Sequence, residues 1–121
     1  MPDDNEILGK SKAFALRIIR LSQYLQAEQK EYVLAKQVLR SGTSIGANVR
    51  EAQRAQSRAD FYTKLTISLK EADETAYWLE LLHEGGYLRS AAFQSIYQDA
   101  EELIRLLTAI TKTLKEPEAT K

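Results

Sequence analysis

Ser57-Arg58-Ala59-Asp60-Phe61-Tyr62-Thr63-Lys64-Leu65-Thr66-Ile67-Ser68-Leu69-Lys70-Glu71-Ala72-Asp73-Glu74-Thr75-Ala76-Tyr77-Trp78-Leu79-Glu80-Leu81-Leu82-His83-Glu84-Gly85-Gly86 carries its own start, period and stop. Ser57 and Asp60 have capping-box spacing, with two side chains able to satisfy free amides at a helix start. Phe61, Leu65, Ser68, Ala72, Thr75, Leu79 and Leu82 follow in steps of four and three, the period of a helix seam. Gly85-Gly86 ends the run, because glycine tolerates the left-handed turn beyond a C-cap. One long helix over 58–84 follows from these signals.

The same period recurs on both sides. Val38, Gly42, Ile45, Val49 and Ala52 mark a helix over 31–56. Leu8, Ser11, Ala15, Ile18, Ser22 and Leu25, with Ile7, Phe14 and Leu21 alongside, mark one over 6–26. Phe93, Ile96, Ala100, Leu103, Leu107, Ile110 and Leu114, behind the N-cap Ser90, mark one over 91–115. Residues 116–121, around Pro117, read as a frayed tail. The boundary near Gln26–Lys30 has no Gly or Pro to define it. Period-two alternation is nowhere sustained, so the fold class is all-α. Short connections make successive helices antiparallel neighbours, which predicts an up-down-up-down four-helix bundle.

A chain of 121 residues is expected to form one domain, 1–121. The absence of cysteine excludes disulfides and thiolate metal sites and fits a reducing compartment. No apolar run approaches membrane-spanning length, and Met1-Pro2-Asp3-Asp4-Asn5-Glu6 lacks the basic-then-apolar order of a signal peptide, so a cytoplasmic protein without a membrane partner is expected. The formal net charge is zero but segregated. Arg40–Lys70 holds six basic residues against two acids, a net +4, whereas Glu71–Ile110 holds eight acids against two basic residues, a net −6.

The motifs argue against chemistry. Glu80-Leu81-Leu82-His83 has the ligand spacing of di-iron bundles, but those need the motif twice and His83 is the sole histidine. Tyr77, Trp78 and Leu79 stand where a small helical RNase would need an arginine ahead of His83. No motif links His83 to a serine, and there is no cysteine nucleophile. Ser41-Gly42-Thr43-Ser44-Ile45-Gly46 lacks the Gly-Lys-Ser/Thr ending of a phosphate loop and reads as small residues admitting a neighbouring helix. No enzymatic activity, cofactor, metal or small-molecule substrate is expected.

Three groups of residues remain as binding candidates. Arg50, Arg54 and Arg58 recur every four residues and form one stripe if the helix runs through the junction. They read either as a solvated, ion-paired face or as phosphate contacts for RNA or DNA. Helix 58–84 is apolar on more than its seam; Tyr62, Leu69, Tyr77 and Trp78 are candidate subunit-interface anchors, since a two-faced helix is usually buried on both sides. Arg40, Ser44, Asn48 and Glu51 on one helix face Lys64, Glu71 and Glu74 on the next if facing residue numbers sum to about 114 or 115. That register pairs Glu51 with Lys64, Ser44 with Glu71, and Arg40 with Glu74, an interhelix polar lock whose role would be to penalise misalignment.

The run Arg40-Ser41-Gly42-Thr43-Ser44-Ile45-Gly46-Ala47-Asn48-Val49-Arg50-Glu51-Ala52, followed by Asp60-Phe61, Lys64-Leu65 and Leu69-Lys70-Glu71-Ala72-Asp73-Glu74-Thr75-Ala76-Tyr77-Trp78-Leu79, resembles the four-helix-bundle proteins of bacterial 23S rRNA intervening sequences. The likeness covers roughly residues 10 to 115. Many members carry Glu-Gly where this chain has Glu51-Ala52. The resemblance implies a homo-oligomer, a ring of five bundles, with no known enzymatic activity. It extends distantly to the accessory variability determinant of diversity-generating retroelements, a basic ring that binds nucleic acid and a reverse transcriptase; this chain departs from it in being neutral. The reading that results is an oligomeric binding or scaffold module associated with RNA or a nucleoprotein. Its rivals are a dedicated electrostatic nucleic-acid binder and a purely structural protein–protein assembly module.

Overall fold

Among the described residues, four α-helices and no strand make up the regular structure: α1 (Asp4–Ala27), α2 (Val33–Ala52), α3 (Arg58–Glu84) and α4 (Ser90–Lys115). The structure, a computed structural model, describes residues 4–115, with side chains from Glu6 onward; the tail 116–121 lies outside the described residues. Each helix owes its place to one apolar stripe. Phe14, Ile18 and Leu25 of α1, Val38, Ile45 and Val49 of α2, Leu65, Leu79 and Leu82 of α3, and Leu103, Leu107 and Ile110 of α4 are all 2% exposed or less and share one core. Burying a side chain of this size contributes about 1.5–3 kcal/mol, so the stripes hold the helices more firmly than any surface pairing can.

The helices follow one another around the core: α1 packs on α2, α2 on α3 and α3 on α4, while α1 meets α4 along the loosest of the four seams. Close approach of α1 and α2 depends on Gly42, where an added Cβ would stand 2.7 Å and 2.8 Å from Ile18 Cγ1 and Cγ2. Four hydroxyls on the apolar stripes (Ser11, Ser22, Ser68, Thr75) are fully or almost fully buried. Ser22 Oγ donates to the Ala35 carbonyl, Ser68 Oγ to the Ile45 carbonyl, and Thr75 Oγ1 lies 2.8 Å from both Ser41 Oγ and the Glu71 carbonyl. A buried hydroxyl without a partner costs about 1–3 kcal/mol, so these bonds restrict how the helices slide. Contacts between α2 and α3 pair Ser41 with Thr75, Ile45 with Ser68 and Glu51 with Lys64, one number rising as the other falls.

Boundaries follow local chemistry. Ser57 is extended and its hydroxyl accepts from the Asp60 amide at 3.0 Å, as expected; Asp60, however, reaches one residue further back, accepting from the Gln56 amide. At the far end Gly86 takes φ +88°, the left-handed turn that glycine permits. The α1–α2 boundary, which no Gly or Pro announced, is made by Lys30 at φ 55°. Glu31 then accepts from the Leu34 amide at the start of α2. The main correction concerns α2. The sequence period suggested helix to residue 56, but α2 ends at Ala52 and residues 53–57 form the turn into α3.

Candidate functional site

The early end of α2 breaks up the expected arginine stripe. Arg50 lies in the last turn of α2, Arg54 in the connecting turn, and Arg58 at the start of α3. Arg58 turns toward α4, where its guanidinium donates to the carbonyls of Leu114 (3.2 Å) and Thr113 (3.5 Å). It occupies last-turn carbonyls with a cation, a favourable arrangement at a helix C-terminus. Arg58 is therefore committed to holding α4, and the stripe is not continuous.

Arg50 and Arg54 stay together and gain a companion from α1. With Lys12 they border a hollow of about 520 Å³ between α1 and α2, whose lining includes Ala15, Gly46 and Ala47 and no acidic residue. Lys12 escaped sequence reasoning because it lies on another helix, where charge spacing within one segment reveals nothing about it. On the opposite pair of helices, Asp73, Glu80 and Glu101 border a hollow of about 320 Å³ together with Tyr77, Tyr97 and Arg105. Tyr77 is 54% exposed. The other interface candidates, Tyr62, Leu69 and Trp78, are half-buried against the chain's own core, and Trp78 Nε1 donates to Glu74 at 2.9 Å. The second apolar face of α3 is thus largely consumed within the chain, leaving Tyr77 and the 38%-exposed Ile67 outside.

The polar residues between α2 and α3 meet as follows. Arg40 donates to Glu74 and, at 3.3 Å, to Glu71; Lys64 Nζ donates to Glu51 at 2.8 Å. That bond, helped by the Glu51 charge, holds the Lys64 ammonium above the usual lysine range. Ser44 differs from the expected pairing: its hydroxyl donates to the Arg40 carbonyl one turn back, and Asn48 likewise donates to the Ser44 carbonyl. Short polar side chains on a helix have a backbone carbonyl within closer reach than a neighbouring helix.

The Glu-x-x-His pair is spent on packing. His83 stacks on Phe93 with centroids 4.4 Å apart, and its Nδ1 lies 3.1 Å from the Leu88 carbonyl, joining the end of α3 to the start of α4. Tyr97 Oη donates to Glu80 at 2.6 Å; that bond, with burial adding to it, pushes the phenol up to about 12. Among the described residues, no three His, Cys, Asp or Glu side chains are placed to hold a metal ion, and no helix is long and apolar enough to cross a membrane.

Comparison with known proteins places these features in a family. No curated protein matches the chain. A solved structure of a protein of unknown function from the S23 ribosomal protein family of Bacteroides thetaiotaomicron is 56% identical, with a TM-score of 0.89 over 90% of this chain and 97% of that one. The family model described as 23S rRNA-intervening sequence protein matches residues 3–109. This chain belongs to the 23S rRNA-intervening sequence protein family.

Proposed function

We propose that this chain is a non-enzymatic scaffold of the cytoplasm, an up-down-up-down antiparallel four-helix bundle that assembles head to tail into a homo-oligomer, a ring of five. The observation that carries the reading is the unlike charge on opposite helix pairs. Lys12, Arg50 and Arg54 ring the α1–α2 hollow without an acid, while Asp73, Glu80 and Glu101 surround the exposed Tyr77 between α3 and α4. Such faces complement one another between copies, and a heterologous contact closes into a ring when its rotation permits. Tyr77, an aromatic ring amid acids, supplies the anchor and the small residues Ala15, Gly46 and Ala47 a receiving surface. The Arg40–Glu74 and Glu51–Lys64 pairs serve as a lock that fixes the α2–α3 register, so that both faces are presented in one geometry.

Light scattering at micromolar concentration tests the assembly. Wild type is expected above monomer mass, and Tyr77→Asp or the pair Arg50→Glu, Arg54→Glu is expected to shift it toward monomer with helicity retained. A wild-type monomer refutes the reading.

A second reading, electrostatic binding of RNA or DNA, is supported by Lys12, Arg50 and Arg54 around a hollow that no acid lines, although Glu51 and Asp60 border the adjoining one, and by the family's description in terms of 23S rRNA. With about three phosphate contacts per subunit, useful affinity requires several subunits acting together. Affinity for single-stranded RNA should fall steeply with salt and disappear on reversing Arg50 and Arg54. Binding that survives the reversal excludes this surface.

A further inference from the structure

The loosest seam, α1 against α4, holds a hollow of about 550 Å³ beside the α3–α4 connection. Its size falls within the range of small-molecule sites. Three guanidiniums line it, those of Arg17, Arg20 and Arg89, and no acidic residue does, in a chain whose net charge is zero. Its floor is apolar: Leu21, Leu88 and Ile96 are core side chains whose outer edges face the opening.

Two lining groups are held in position by neighbours. Arg17 donates to the Asp99 carboxylate at 2.7 Å and to the Ser95 hydroxyl and carbonyl at 3.0 Å and 3.3 Å, which fixes its guanidinium across the seam. Tyr24 is tethered at its hydroxyl, which accepts from Gln29 Nε2 at 2.7 Å, and its ring remains 39% exposed on the rim. Arg20 and Arg89, by contrast, form no ion pair among the described residues. Two free guanidiniums, a positioned aromatic ring and an apolar floor suit a ligand with an anionic end and a flat body. Arginine forks match phosphate oxygens, and an aromatic ring beside cations stacks a nucleobase.

We propose that this hollow binds a nucleotide, its phosphate held by Arg20 and Arg89 and its base lying on Tyr24 above Leu21, Leu88 and Ile96. The ligand is either a free mononucleotide or the end of a single strand, which present the same chemistry. The seam lies between neither the α1–α2 nor the α3–α4 pair, so the site goes beyond the assembly reading and is open to test whichever oligomer forms.

The test is fluorescence polarisation of a labelled ATP analogue and of a labelled oligouridine, with the full chain, competed by inorganic phosphate, unlabelled AMP and a long-chain fatty acid. Saturable binding of either labelled probe is expected, with AMP competing and phosphate alone much weaker. Preference for the oligouridine identifies strand ends as the source, and equal or better binding of the ATP analogue identifies free nucleotide. Arg20→Glu with Arg89→Glu should weaken binding roughly ten- to a hundredfold, and Tyr24→Leu by about tenfold, with helicity by circular dichroism unchanged. Arg50→Glu with Arg54→Glu should leave binding of the ATP analogue intact, separating this site from the α1–α2 cluster. The proposal is overturned if neither probe binds up to millimolar protein, if the Arg20/Arg89 variant binds like wild type, if phosphate competes as well as AMP, or if only the fatty acid occupies the hollow.

Discussion

Replacing Gly42 with alanine should destabilise the protein, although alanine is the better helix former. The new Cβ would stand 2.7 Å and 2.8 Å from two Ile18 atoms, where ordinary contact begins at 3.4 Å. Ile18 is fully buried and β-branched, so its rotamer cannot swing aside. Overpacking of this severity costs about 2–3 kcal/mol. Removing a glycine from a helix interior returns about 1 kcal/mol. The net loss is about 1–2 kcal/mol, or roughly 4–8 °C in melting temperature for a chain of this size. Gly9 is the control: it is exposed within α1 and nothing approaches its Cβ position within 4 Å, so Gly9→Ala should stabilise by about 0.5–1 kcal/mol. Urea unfolding followed by circular dichroism, at one fixed protomer concentration because assembly shifts apparent stability, measures both. In an Ile18→Ala background the two closest atoms are gone and only the residue-18 Cβ remains, at 3.2 Å. A shift of a few tenths of an ångström relieves that contact, so Gly42→Ala should change sign and stabilise. A Gly42→Ala protein as stable as wild type, or no change of sign in that background, would refute the argument.

Glu74→Leu removes an acceptor from both Arg40 and Trp78; because the Arg40 and Glu74 side chains are 48% and 36% exposed, a loss of about 1 kcal/mol is expected by denaturant titration. Ser68→Ala deletes a buried bond from α3 to the Ile45 carbonyl and should cost about 1 kcal/mol in the same assay. Alkaline stability tests Tyr97. Its phenol holds its proton to about 12 when folded, whereas an unfolded tyrosine ionises near 10. The bond to Glu80 therefore contributes fully below pH 10, and the contribution is lost as pH rises toward 12. Tyr97→Phe should flatten stability between those values, and an unchanged slope would show that the bond contributes nothing.

The parts of this structure that depend on period were legible in the residues. The seam from Phe61 to Leu82 and the Ser57 cap could be read because each signal lies within one helix. The α2 end was misplaced because Arg50, Gln53 and Arg54 continue a helical spacing with no Gly or Pro to break it, and the turn needs only helix-like angles such as those of Gln53. Lys30 is left-handed with no sequence signal at all. Arg40–Glu74 and Glu51–Lys64 could be paired by arithmetic, since one short turn ties their helices together. Ser44 could not, because the backbone carbonyl one turn back competes with any partner on the neighbouring helix. Lys12 and the hollow around Arg20 and Arg89 join helices distant in sequence, and no local pattern encodes such meetings.

The seam between the first and last helices is the most open of the four, and ion pairs bridge it above the shared core. Arg17 with Asp99 and Lys10 with Glu102 cross it, while α2 and α3 are joined along their length by buried hydroxyl bonds and apolar contact. The molecule is therefore built like a book, its spine at α2–α3 and its free edges clasped by ion pairs. Salt at molar strength shortens electrostatic reach to about 3 Å and loosens exposed pairs on both seams, those of Arg40 and Lys64 included. The buried hydroxyl bonds and apolar contact nevertheless keep the spine closed. Native-state hydrogen exchange should then show amides of α1 and α4 opening at lower free energy as salt rises, with those of α2 and α3 changing less. Ionic strength thus sets how often the pages part, and a nucleotide seated between Arg20 and Arg89 would hold them shut.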